Sequence, residues 1–147
     1  SGLVDVLANR IGERAIYRFA PVASDVPERS VRRVPALAPD TGTGWPDHWP
    51  RPTRLLPCPE PIETMALLPD HPPVWIAWRG IRRRVRRADG PERVSGEWWK
   101  ADAELVAVRD YFRIEDDSGE RYWVYRAGDG ENAETGSHKW FLHGVFG

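Results

Sequence analysis

The side chains of this 147-residue chain that could do chemistry are few and scattered. Its imidazoles and thiol are His48, His71, His138, His143 and a single Cys58. His138 and His143 stand five apart, which on a strand puts them on opposite faces. With no Cys or His partner at ligand spacing, no zinc site is expected. His143 sits among aromatics in Trp140-Phe141-Leu142-His143-Gly144-Val145-Phe146 and reads as a hydrogen-bonded core histidine. Cys58, between prolines in Leu56-Pro57-Cys58-Pro59, reads as structural. Asp116 and Asp117 could suggest metal chemistry, but Asp116-Asp117-Ser118-Gly119 is a polar hairpin turn, so both read as solvated. Gly128-Asp129-Gly130-Glu131-Asn132-Ala133 matches G-x-G-x-x-A after a strand. Dinucleotide binding needs a helix directly afterwards, with its N-terminus at the pyrophosphate. Here Glu134-Thr135-Gly136-Ser137 follows, and Asp129, Glu131 and Glu134 would repel phosphate, so a mobile loop is expected. No Ser/His/Asp order or nucleophile elbow is present. No catalytic residue, metal or cofactor is therefore expected.

What stands out instead is aromatic rings beside arginines. Six of the eight Trp lie after residue 70. The set is Trp75, Trp78, Arg79, Trp98, Trp99, Arg121, Trp123, Tyr125 and Arg126. Large rings bury much area per residue and so stabilise a small β domain with few strands. Trp, Tyr and Arg also dominate protein–protein and single-strand contacts. Most of these rings are expected in the core. Adjacent Trp98 and Trp99 cannot both face inward on a flat strand, so one should be exposed, under a loop, or in a contact. Arg79, Arg82, Arg83, Arg84, Arg86 and Arg87 form a basic cluster with two readings. It is either a solvated strand edge that discourages edge-to-edge pairing, or a patch for nucleic acid or an acidic partner.

Composition sets the bounds. The length allows one ordinary domain, or a small domain with an arm. A 41% hydrophobic share permits a core, and a net charge of −1 gives no global signal for nucleic acid. The charge is uneven: residues 1–94 hold 15 Arg against 11 acids, residues 95–147 hold 6 basic against 11 acidic residues. One cysteine forbids an intrachain disulfide and fits a reducing compartment. No apolar run approaches the roughly 20 residues that span a bilayer, and no signal peptide is visible. The chain starts Ser-Gly without Met and reads as a piece excised from a longer protein. Its 19 Arg and 2 Lys suggest a GC-rich genome.

The elements that must position these side chains read as follows. Leu3, Leu7 and Ile11 form one stripe of a short helix, with Gly12 at its C-cap. Ala15 to Phe19 could be a short strand. Residues 21–59 hold nine prolines, which remove donors and fix φ, so no helix or central strand is expected there. The segment reads as an extended arm in which Trp45 and Trp49 either clip it to the domain or enter a partner. Beyond it, strands are expected at Ile62–Leu68, Val74–Arg79, Ile81–Val85, Glu104–Glu115, Glu120–Arg126 and Lys139–Phe146, with turns at Pro69–Pro72, Ala88–Pro91 and Asp116–Gly119. Gly80 marks a bend or bulge. The organisation is residues 1–20 as helix and strand, 21–51 as the proline-rich arm, and 52–147 as a small β domain. The fold class is mainly β, a small antiparallel barrel or rolled sheet of about six strands.

These motifs resemble the C-terminal region of ImuB proteins, which are Y-family DNA polymerase homologues of bacterial mutagenesis cassettes. The resemblance begins at Leu3-Val4-Asp5-Val6-Leu7-Ala8-Asn9-Arg10-Ile11-Gly12 and runs through Tyr17-Arg18-Phe19-Ala20-Pro21, Val26-Pro27-Glu28-Arg29 and Arg51-Pro52-Thr53-Arg54-Leu55-Leu56-Pro57. It continues with Gly96-Glu97-Trp98-Trp99, Arg109-Asp110-Tyr111-Phe112-Arg113 and Phe141-Leu142-His143-Gly144. It implies a cytoplasmic, non-catalytic adaptor in DNA-damage-induced mutagenesis and translesion synthesis, nucleoid-associated when active. The implied partners are an error-prone C-family polymerase, an ImuA-type accessory protein and the sliding clamp. The pseudo-polymerase core and clamp-binding segment would lie before residue 1, and no Gln-x-x-Leu-x-Leu-Phe-like segment occurs, so clamp binding is not carried over. The expected function is a protein-interaction domain, with Trp45, Trp49, Trp98 and Trp99 as partner-binding candidates. The alternative is a single-stranded or duplex DNA-binding barrel that uses Arg79 through Arg87.

Overall fold

The computed structural model describes residues 2–46, 48–97 and 107–147. The chain divides into two units, Ser1–Trp49 and Pro50–Gly147. The first holds helix α1 (Gly2–Ile11) and a hairpin of β1 (Tyr17–Pro21) and β2 (Val31–Pro35). No residue of α1 is fully buried, and Leu3, Val6, Leu7 and Ile11 are exposed. The strand β2 lies inside the proline-rich segment expected as an extended arm; the prolines there exclude a helix or a central strand, and β2 is an edge strand. Position reconciles the strand with its prolines. Pro21 and Pro35 are the last residues of their strands, and a two-stranded sheet consists only of edges, where a missing N–H costs no ladder bond. The hairpin is tied at its turn by Val22 N donating to Ser30 O (2.8 Å), and Arg18 holds the following chain by donating to Ala38 O (2.8 Å).

The second unit is a six-stranded antiparallel sheet that closes on itself. Its strands are β3 (Arg54–Ala66), β4 (Pro73–Trp78), β5 (Ile81–Ser95), β6 (Val108–Asp116), β7 (Arg121–Ala127) and β8 (Trp140–Phe146). Closure depends on two long strands that change partner along their length. Residues 54–62 of β3 pair with β8, and residues 63–66 pair with β4. Residues 81–84 of β5 pair with β4, and residues 85–95 pair with β6. Each handover needs a bend. In β3 the register shifts between Leu55 and Glu60, where Pro57 and Pro59 lie, so these prolines remove no ladder bond and the strand starts earlier than Ile62. In β5 one extra residue is inserted at Arg86 and another between Asp89 and Glu92.

The second bulge replaces the turn expected at Ala88–Pro91. Both flanks of Gly90-Pro91 pair with the same strand, so the chain kinks without reversing. Gly90 has φ +137°, and a Cβ there would lie 2.7 Å from Tyr111 O. Only glycine fits this close approach.

Both faces of β6, β7 and β8 are buried. Phe112, Ile114, Tyr122, Val124 and Leu142 point into the ring with Leu56, Ile62, Ile76 and Trp140. Their neighbours Tyr111, Trp123 and Tyr125 form a second cluster with Val94 and Phe141 on the opposite face, as strand alternation requires. The Tyr111 and Trp123 rings stack at 4.1 Å, and Tyr125 and Phe141 at 5.2 Å. The segment leading into β3 lies against this face. The Arg51 guanidinium is 5.1 Å from the Trp123 ring, and a Cβ on Gly144 would meet Pro52 at 2.5 Å.

Candidate functional site

The β4–β5 hairpin carries the basic cluster. Its turn residues Arg79 and Gly80 both have positive φ, 50° and 78°, as a two-residue hairpin of type I′ requires. From there the strand period sorts the arginines. Arg79 is drawn to Glu60, whose carboxylate accepts from Arg79 Nη2 (2.6 Å), Arg79 Nε (2.9 Å) and Trp78 Nε1 (2.7 Å). These donors hold the Glu60 carboxyl down at about 2. Arg83 lies on the inward row, 3.8 Å from Asp116, 3.7 Å from Glu120 and over the Tyr122 ring. Arg87 reaches Asp89 at 3.4 Å, and Asp89 accepts a shorter bond from Arg113 (2.8 Å).

Arg82, Arg84 and Arg86 are different. All three point outward, are exposed, and form no ion pair among the described residues. The Arg82 guanidinium lies 3.8 Å from the centroid of Trp75, on the same outer face. Beside this row, Met65 pairs with Trp75, and Leu67 follows at the end of β3; both are exposed. At the Arg86 end opens an apolar groove of about 230 Å³ lined by Leu67, Pro72, Pro73, Val74, Val85 and Ala88. The expected basic patch is thus a strip of three arginines with an apolar groove at one end. The groove was not foreseen. Its signal is Leu67-Leu68 directly before Pro69, a pattern that also marks the end of a strand.

The other residues singled out in the sequence fall as follows. His143 is fully buried, and its Nδ1 is 2.8 Å from Tyr111 Oη, a hydrogen-bonded core histidine as expected. Trp123 and Tyr125 are core residues of the second cluster, and Arg126 is buried. Arg126 Nη2 donates to Asp110 (2.8 Å) and to Asp129 O (2.7 Å), and Nη1 donates to Pro69 O. Asp110, with no exposed surface, also accepts two bonds from Arg93 at 2.7 and 2.9 Å. This buried Arg–Asp–Arg set was missed, because nothing local marks Asp110. Trp45 and Trp49 are both exposed in the first unit. Trp98 and Trp99 lie outside the described residues.

The Gly128–Ala133 loop is followed by one 3-10 turn, Ala133–Thr135, not by a helix. It is bonded within itself. The Asp129 carboxylate accepts from Glu131 N (2.9 Å), Asn132 N (2.8 Å) and Thr135 Oγ1 (3.0 Å), which lowers it to about 2. The expected loop is present, but it is built on these bonds. Among the described residues, no group of three or more His, Cys, Asp or Glu could hold a metal ion, and no helix is long and apolar enough to cross a membrane.

No protein-family model and no solved structure matches the chain. Protein ImuB from two strains of Caulobacter vibrioides is 47% identical to it over 153 aligned positions, covering 99% of this chain and 32% of each relative. The chain therefore spans about a third of the length of the curated relatives it matches. The resemblance read from the motifs stands: over nearly its whole length the chain is similar to part of ImuB, consistent with the C-terminal region of an ImuB-type protein.

Proposed function

We propose that this chain is a non-catalytic interaction domain of an ImuB-like adaptor in damage-induced mutagenesis and translesion synthesis, tethering an error-prone C-family polymerase and an ImuA-type accessory protein. The observation that carries the reading is where the structure puts its open chemistry. The ring interior is filled by Phe112, Ile114, Val124 and Leu142, all essentially without exposed surface. A packed interior offers no substrate a cavity, so recognition belongs to the outer surface. Exposed side chains of the types that anchor protein interfaces occur in each unit: Trp45 and Trp49 in the first, and arginines beside exposed apolar residues in the second. Similarity over 99% of this chain to about a third of ImuB supports the placement in such a complex. Contact with the sliding clamp would fall to other parts of the full protein.

The test is a titration of this chain against the purified polymerase and the purified accessory protein. Saturable binding to at least one, weakened by Trp45→Ala with Trp49→Ala, is expected. Binding to neither removes the adaptor role.

A further inference from the structure

The row of three outward arginines ends at Arg86, which also lines the groove, so the groove opens at one end of the row. We propose that the outer face of β4–β5, together with the groove that adjoins it at Arg86, docks an acidic peptide segment of a partner protein, with an apolar side chain in the Leu67–Val74–Ala88 groove and carboxylates on Arg82, Arg84 and Arg86. This rests on the adaptor reading and names the partner chemistry for one surface.

Three observations favour this occupant. First, charge is left over here and not next to it. Arg79, Arg83 and Arg87 have carboxylate neighbours, whereas Arg82, Arg84 and Arg86 have none among the described residues. Glu63 is the acid on this outer face, opposite Ala77, and it forms no ion pair with them. Asp70, near the groove, is held by His71 Nδ1 at 2.9 Å. Second, Arg82 is laid on Trp75 at 3.8 Å. A guanidinium stacked on a ring keeps its N–H edge free for a carboxylate and loses less entropy on binding one. Third, that same stacking covers the Trp75 ring. A single-strand groove needs open rings for bases, so nucleic acid fits this face less well. The apolar groove and exposed Met65 and Leu67 add what a phosphate backbone does not use.

The test is fluorescence anisotropy with three labelled probes: a short peptide of glutamates and aspartates interrupted by two leucines, the same peptide with glutamines for its acids, and oligothymidylate. The acidic peptide should bind the chain. Arg82→Glu with Arg84→Glu and Arg86→Glu should weaken it by about tenfold or more, and Leu67→Glu by a smaller factor. If the triple glutamate variant loses its circular dichroism, the triple glutamine variant takes its place with the same expected direction. No binding, equal binding by the variants, or preference for oligothymidylate over the acidic peptide overturns the proposal. So does self-association of the chain that the triple variant abolishes, since the face would then serve a second copy. The two readings fail separately. If the polymerase or accessory protein binds wild type and triple variant alike, this surface falls and the adaptor role stands. If the acidic peptide binds through the arginines but neither protein is captured, the role falls and the surface stands.

Discussion

Asp110 shows how much one side chain can hold. It has no exposed surface, and it faces Arg93 and the buried Arg126. Arg126 in turn reaches the backbone after β3 and the loop after β7. Removing the charge from Asp110 leaves the buried Arg126 with backbone carbonyl acceptors but without its carboxylate partner. Asp110→Asn should therefore cost about 3–5 kcal/mol in urea unfolding; a loss below about 1 kcal/mol would mean that Arg126 finds water. Glu60 makes a prediction in pH. Its carboxyl lies at about 2 in the folded chain against 4.5 as an unperturbed group. A depressed carboxyl gives stability that is fully present above pH 4.5 and is lost as pH falls toward about 2. Glu60→Gln should flatten the stability profile in that window, read by Trp fluorescence during urea titrations at stepped pH. An unchanged slope would show that Glu60 does not hold Arg79 and Trp78 in solution. At this scale the sequence was legible where the neighbours spoke. His143 was readable from the rings around it. Asp110 was not, because its partners lie 17 and 16 residues away.

The elements follow from strand alternation where both faces are apolar or cleanly divided. In Val74–Trp78, in Tyr111 to Ile114 and in Tyr122 to Tyr125, odd and even positions go to different faces. That pattern was visible in the residues. Gly90-Pro91 was not readable from its own composition, since a glycine–proline pair is the same local signal for a turn and for a bulge. Only the pairing of both flanks with β6 decides it. Likewise Pro57 and Pro59 hid the first half of β3, although they fall where its ladder is already broken. Gly90→Ala tests the bulge. Its positive φ and the 2.7 Å approach to Tyr111 O should cost about 1–3 kcal/mol of stability in thermal or urea unfolding. Stability equal to wild type would mean that β5 can bend elsewhere.

On the scale of the whole molecule, about six strands in a barrel or rolled sheet were legible, and the pairing that closes the ring was not. Closure requires β3 to meet β8 across nearly the full length of the second unit, as in the pairing of Ile62 with Trp140, and no local pattern encodes a contact of that separation. All strands of the ring lie within Pro50–Gly147. We expect residues 50–147 alone to unfold cooperatively in urea; a fragment without near-ultraviolet circular dichroism would contradict this. On the function proposed above, this chain works by binding protein partners. The most direct test is calorimetric titration of the chain with the error-prone polymerase and, separately, with the ImuA-type accessory protein, with single-stranded oligonucleotide at two salt concentrations in parallel. Saturable binding to at least one protein and little to the oligonucleotide are expected. No binding to either protein, together with oligonucleotide affinity that falls steeply with salt, would contradict that function.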